Sequence, residues 1–79
     1  MNEEFETVRQ ACAKVVRCAP ETLTPATDLR ADLGVDSMDA TDLAMLLEDE
    51  TGVKLTDEEL WGVRTLGQLA ELLAAKTVA

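Results

Sequence analysis

Apolar residues in this chain recur at intervals of three and four, the spacing that puts side chains on one face of a helix, and this limits the fold to packed helices. Phe5, Val8, Cys12, Val15, Val16 and Ala19 form one such stripe, which predicts a first helix over Glu3 to Cys18, stopped by Pro20. A second stripe, Ala40, Leu43 and Leu47, follows Asp36 and Ser37, either of which can cap its helix. Asp39 lies near N3 in a capping-box-like arrangement, and Thr51-Gly52 ends the helix. Thr56 with Glu59 makes a further capping box for a short third helix that carries Leu60 and Trp61 and closes at Gly62. Thr65 caps a fourth, whose stripe is Leu66, Leu69, Ala70 and Leu73, widened by Leu72, with fraying expected after Ala75.

Between the first two helices, Glu21 to Val35 holds Pro25, Thr27-Asp28 and Gly34 without a sustained period, so it reads as a long loop. Its Leu23, Leu29, Leu33 and Val35 are expected to pin it to the helices, the ordinary fate of a leucine. The expected architecture is all-α, a four-helix bundle with a short third helix and a long loop between helices one and two, in one domain over residues 1–79. Composition agrees with this reading. With one Phe, one Trp and no Tyr, the core has to be built from Leu, Val, Ala and Met, which suits helices better than a sheet. Trp61 is expected to be core filler or a partial lid.

The charge narrows the partners. Sixteen acids against seven bases give a net charge of −9, which repels nucleic-acid backbones and anionic lipid and is complementary to a basic patch on a protein. Cys12 and Cys18, placed on one helix, point apart and make no disulfide framework, so both read as reduced thiols in a cytoplasmic setting. Neither a signal-peptide pattern nor an apolar run of membrane-spanning length occurs in the sequence. The Met start and lack of linkers are expected for a free-standing protein.

Catalytic chemistry finds little to work with. The chain has no histidine, hence neither the commonest general base nor the usual metal ligand. Val35 to Asp39 is not a nucleophile elbow, and no Gly-rich phosphate-binding pattern is present. Asp28, Asp32, Asp36 and Asp39 miss the spacing of a calcium loop, so no metal site is expected. Seven acids (Asp32, Asp36, Asp39, Asp42, Glu48, Asp49 and Glu50) nonetheless fall between Arg30 and Lys54 without an intervening base. On the second helix, Met38 and Met45 lie opposite the buried stripe, among Thr41, Asp42, Glu48 and Asp49. Exposed thioethers adapt to several partners, so this face is a candidate docking surface.

Asp32-Leu33-Gly34 followed by Asp36-Ser37-Met38 at a helix start, with an acidic and apolar run after it, resembles the acyl carrier protein family. The likeness continues through Glu48-Asp49-Glu50, Val53-Lys54-Leu55 and Thr65, over nearly the whole chain. The resemblance implies a non-catalytic carrier whose Ser37 is esterified by 4′-phosphopantetheine, donated from coenzyme A by a phosphopantetheinyl transferase. Acyl groups then ride on the terminal thiol of the arm as thioesters, in fatty acid or polyketide assembly. It further implies that Asp36 positions the transferase and its magnesium, while helix capping remains the other reading of both Asp36 and Ser37. By the same resemblance Asp36, Met38, Asp39, Asp42, Met45, Glu48 and Asp49 meet the ketosynthase, the acyltransferase and other acyl-processing enzymes through basic patches, the carrier itself being a monomer. Met38 stands where leucine is commoner, and Trp61 and the two cysteines lie outside the family pattern. Two other readings remain: an aminoacyl or peptidyl carrier, whose motif more often has a histidine or second glycine before the serine, and an unmodified acidic interaction module.

Overall fold

A computed structural model describes residues 3–77 of the chain. Its elements are α1 (Glu3–Val16), a 3-10 turn (Pro20–Thr22), α2 (Ser37–Thr51), α3 (Asp57–Gly62) and α4 (Leu66–Thr77). The protein is an all-helical bundle, with α1 packed against α2 and α4, and α3 packed against α2. Among the described residues there is no β-strand, only an isolated bridge between Asp28 and Thr65.

The predicted stripes supply the core. Leu43, Leu47, Leu66, Leu69, Leu73, Val8 and Cys12 are its largest fully buried side chains. Removing each Leu or Val from water contributes about 1.5–3 kcal/mol before the entropy of ordering the chain is counted. The stripe of α1 differs from expectation at its end. Phe5, Val8 and Cys12 are buried, together with Ala11 and Ala13, whereas Val15 and Val16 are only partly covered and Ala19 is exposed beyond the helix. The helix stops at Val16 and does not run on to Cys18. Arg17 turns left-handed (φ 58°), and the Cys18 N–H closes back on the Ala13 carbonyl at 3.0 Å. This is the six-to-one bond of a Schellman ending, made without glycine. Cys18 therefore lies outside the helix that carries Cys12, and both thiols are free.

Both capping boxes form. The Asp36 carboxylate accepts from the Asp39 N–H at 2.9 Å, and the Thr56 hydroxyl oxygen from the Glu59 N–H at 3.1 Å; each N3 carboxylate accepts in return from the N-cap N–H. Gly52 ends α2 at φ 76°, a conformation a side chain would strain. At the start of α4 the Thr65 hydroxyl oxygen accepts from the Gln68 N–H at 3.1 Å. That helix runs to Thr77, past the expected fraying point, because Lys76 is tied to Glu59 at 2.6 Å and to the Lys54 carbonyl at 2.9 Å.

The long loop is pinned as the leucines suggest: Leu23, Leu29 and Val35 are buried and Leu33 packs against the core. Its polar half is ordered by Asp28. One carboxylate oxygen of Asp28 accepts from the N–H groups of Arg30 (2.9 Å) and Ala31 (2.8 Å), and the other from Arg64 Nε at 3.3 Å. These contacts, the Ala31 N–H first, hold the Asp28 carboxyl below its ordinary pKa. Backbone bonds from Leu29 to Arg64, Leu66 to Thr27 and Gly67 to Pro25 then fasten the loop to the α3–α4 connection and the first turn of α4. Gly67 permits this close approach, since a Cβ there would stand 3.0 Å from the Pro25 carbonyl oxygen and the loop would have to give by a few tenths of an ångström.

Candidate functional site

Ser37 is the first residue of α2, exposed at the tip where the pinned loop delivers the chain into the helix. Val35 on one side of it and Ala40 on the other are buried, so Ser37 stands on a fixed base. Asp36 and Asp39 engage each other as the capping box. The N–H groups of Ser37 and Met38, which a helix start cannot satisfy internally, remain at the tip. With the positive end of the helix dipole, such groups favour an anion bonded to the Ser37 oxygen. Beside Ser37 runs an open groove of about 290 Å³ lined by Met38, Thr41, Asp42 and Asp57. A serine ester of a phosphate therefore has room at this position and helix-start donors to meet it, while Asp42 and Asp57 put like charge along the groove.

The outer face of α2 continues from that tip. Met38 is 75% and Met45 60% exposed, and Asp42, Glu48 and Asp49 are exposed beside them. Asp36 and Asp39, also expected on this face, are committed to the cap, and Asp39 is half-buried. The bases are used elsewhere. Among the described residues the ion pairs are Arg9–Glu6, Lys14–Glu50, Arg64–Asp28 and Lys76–Glu59, so Glu50 is the one α2 acid in a salt bridge. The last turn of α2 contains no base, and its acids oppose the negative end of the helix dipole. Folding alone does not favour that arrangement.

One residue near Ser37 escaped the sequence reading: Asp57 reaches the groove from the first position of α3, and its only signal was the Thr56 cap before it. Thr41, already read on the outer face of α2, lies one turn along the helix, where its hydroxyl donates to the Ser37 carbonyl at 3.0 Å. Trp61 is neither core filler nor free. It is 38% exposed and lines a small apolar cavity, with Arg30 over its ring. The cysteines take no part in the site: burial, with a smaller contribution from Cys18, pushes the Cys12 thiol up to about 12, far from a reactive thiolate. Among the described residues, no three acidic or cysteine side chains converge to hold a metal ion, and no helix is long and apolar enough to cross a membrane.

Residues 6–73 match the family described as the phosphopantetheine attachment site. The chain is 40% identical over 70 residues to an acyl carrier protein of Saccharopolyspora erythraea, an alignment covering 89% of this chain and 74% of that protein. It is 32% identical over 78 residues to an acyl carrier protein of Thermosynechococcus vestitus, covering 99% and 96%. The chain belongs to the acyl carrier protein family. Its cofactor is accordingly the covalent 4′-phosphopantetheine group, whose terminal thiol holds acyl groups as thioesters when attached.

Proposed function

We propose that Ser37 bears the phosphopantetheine arm and that the outer face of α2 presents the arm to acyl-processing enzymes, the protein itself catalysing nothing. The observation that supports this most is the position of Ser37 at the first turn of α2, exposed between buried Val35 and Ala40 and next to a capped, anion-favouring helix start. Asp36 has a double role in this reading. It caps α2, and its remaining carboxylate capacity faces the transferase and the magnesium ion that the transferase uses.

Docking follows from the charge layout. Asp42, Glu48 and Asp49 supply a negative potential that steers basic partners into place, while Met38 and Met45 supply adaptable apolar contact. Asp39 contributes mainly through the cap. A carrier that visits the transferase, an acyltransferase and a ketosynthase in turn needs contacts that form and release quickly, and electrostatic contacts do so. The work is acyl transport in fatty acid or polyketide assembly, by a single carrier domain in the cytoplasm, where the two free thiols suit a reducing compartment.

The test is thioester loading. The arm-bearing protein is incubated with radiolabelled malonyl-coenzyme A and an acyltransferase, and in parallel with an amino acid, ATP and an adenylating enzyme. This reading expects hydroxylamine-labile label in the first reaction only, and none in either with Ser37→Ala. Label in the second reaction alone would replace it with an aminoacyl carrier.

A further inference from the structure

The two cysteines stand in a relation that the sequence pattern hides. On an unbroken helix Cys12 and Cys18 would lie about 9 Å apart along the axis. A disulfide needs Cα atoms within about 7 Å, so no bridge could form there. The helix is not unbroken. It stops at Val16, Arg17 turns left-handed at φ 58°, and the Cys18 N–H returns to the Ala13 carbonyl at 3.0 Å. An ending of this kind lays the residue after the left-handed position over the third and fourth residues before the cap, here Ala13 and Cys12. Ala13 presents only a methyl group. Cys18 packs, half-buried, against the core in which Cys12 is 1% exposed. The thiols are close enough for Cys18 to add to burial, the larger cause, in pushing the Cys12 thiol up to about 12.

We propose that Cys12 and Cys18 are a dithiol that closes into a disulfide when a low-molecular-weight disulfide such as oxidised glutathione accumulates, stapling the entry of the long loop to α1. Cys18, the more accessible, reacts first. Its thiolate attacks one sulfur of glutathione disulfide, that S–S bond breaks, and one glutathione leaves as its thiolate. Cys12 then gives up its proton to solvent and attacks the Cys18 sulfur of the mixed disulfide, expelling the second glutathione. Two protein thiols are oxidised and one glutathione disulfide is reduced to two glutathiones. Burial of Cys12 slows the second step, because its thiolate is disfavoured in the apolar core, and suits the product, because a disulfide sulfur carries no charge. The pair therefore answers a sustained oxidising shift and stays reduced otherwise. It lies near the far end of α2 from Ser37, where Lys14 meets Glu50 at 3.2 Å, so it does not depend on the arm.

The test equilibrates the full chain, without an arm, in glutathione redox buffers, once folded and once in concentrated urea. After the thiols are blocked, trypsin cuts at Lys14 and Arg17, so Cys12 and Cys18 leave on separate peptides unless a disulfide joins them. The fraction joined at each ratio of reduced to oxidised glutathione gives the effective concentration of one thiol at the other. A bridge that fits the fold stabilises it by the same factor by which folding favours the bridge. The folded protein is expected to show a value at least about tenfold above that in urea, and the bridged form to unfold roughly 5 °C or more above the reduced form. A folded value equal to or below that in urea, a glutathione adduct on Cys18 that never resolves, or chains joined through Cys18 would overturn the proposal. Arg17→Val tests the geometry, since a β-branched side chain resists the left-handed conformation. It is expected to lower the folded value while helical circular dichroism is kept; an unchanged value would show that the turn at Arg17 does not hold the pair.

Discussion

The two faces of α2 are built from one stretch of chain and answer to different demands. Inward, Ala40, Leu43 and Leu47 are 4%, 1% and 0% exposed and belong to the common core. Outward, Met38 and Met45 stand 75% and 60% exposed among acids that no base of the described chain neutralises. The inner face obeys every rule of helix burial. The outer face breaks two of them, exposing thioethers and placing acids at the negative end of the dipole. Departures of this kind gather where a protein meets something else.

Substitutions can break that contrast, and their expected effects on stability descend in order. Leu47→Ala on the inner face is expected to cost about 2–5 kcal/mol, because it leaves a void in a packed core; chemical denaturation measures it. Asp36→Ala at the cap is expected to cost about 0.5–2 kcal/mol by releasing the Asp39 N–H. Asp49→Lys on the outer face is expected to do the reverse, stabilising the protein by about 0.3–1 kcal/mol through the dipole at low salt while weakening partner binding. Asp42→Lys, mid-helix, is expected to change stability by no more than about 0.5 kcal/mol and yet to slow acyl transfer in a reconstituted assay. If Asp49→Lys and Asp42→Lys left transfer rates untouched, the outer face would be an ordinary solvated surface.

The pinned loop adds a comparison that depends on pH. Asp28 has a depressed pKa in the folded state, so its contribution to stability is complete above the unfolded value of 3.8 and is lost as pH falls through the lower folded value. The stability gap between the wild type and Asp28→Asn is therefore expected to be constant at neutral pH and to close on acidification below about pH 4. Glu59, held down first by the Lys76 side chain and then by the Thr56 N–H, follows the same sign.

Short-range rules account for what could be read in the sequence. The stripes of α2 and α4, the Asp36–Asp39 and Thr56–Glu59 boxes and the Gly52 ending each depend on residues within a few positions of one another, and all appear in the fold. What could not be read is non-local or rests on an unusual backbone choice. Pro20 was a sufficient stop signal for α1, yet Arg17 stops it earlier by adopting a left-handed conformation that its residue type does not advertise. The extension of α4 to Thr77 depends on Glu59 and the Lys54 carbonyl, which reach Lys76 only in the folded chain. Likewise the exposure of Met38 and Met45 follows from periodicity, whereas the Arg30–Trp61 contact follows from how the loop meets α3, and the place of Asp57 beside Ser37 from how α3 packs on α2.

The most direct test of the central claim is the intact mass of the purified protein before and after incubation with coenzyme A, magnesium and a broad-specificity phosphopantetheinyl transferase, with Ser37→Ala in parallel. The account predicts a gain of one phosphopantetheine in the wild type and none in Ser37→Ala. No gain in a folded, unmodified sample, or an equal gain in Ser37→Ala, would contradict it.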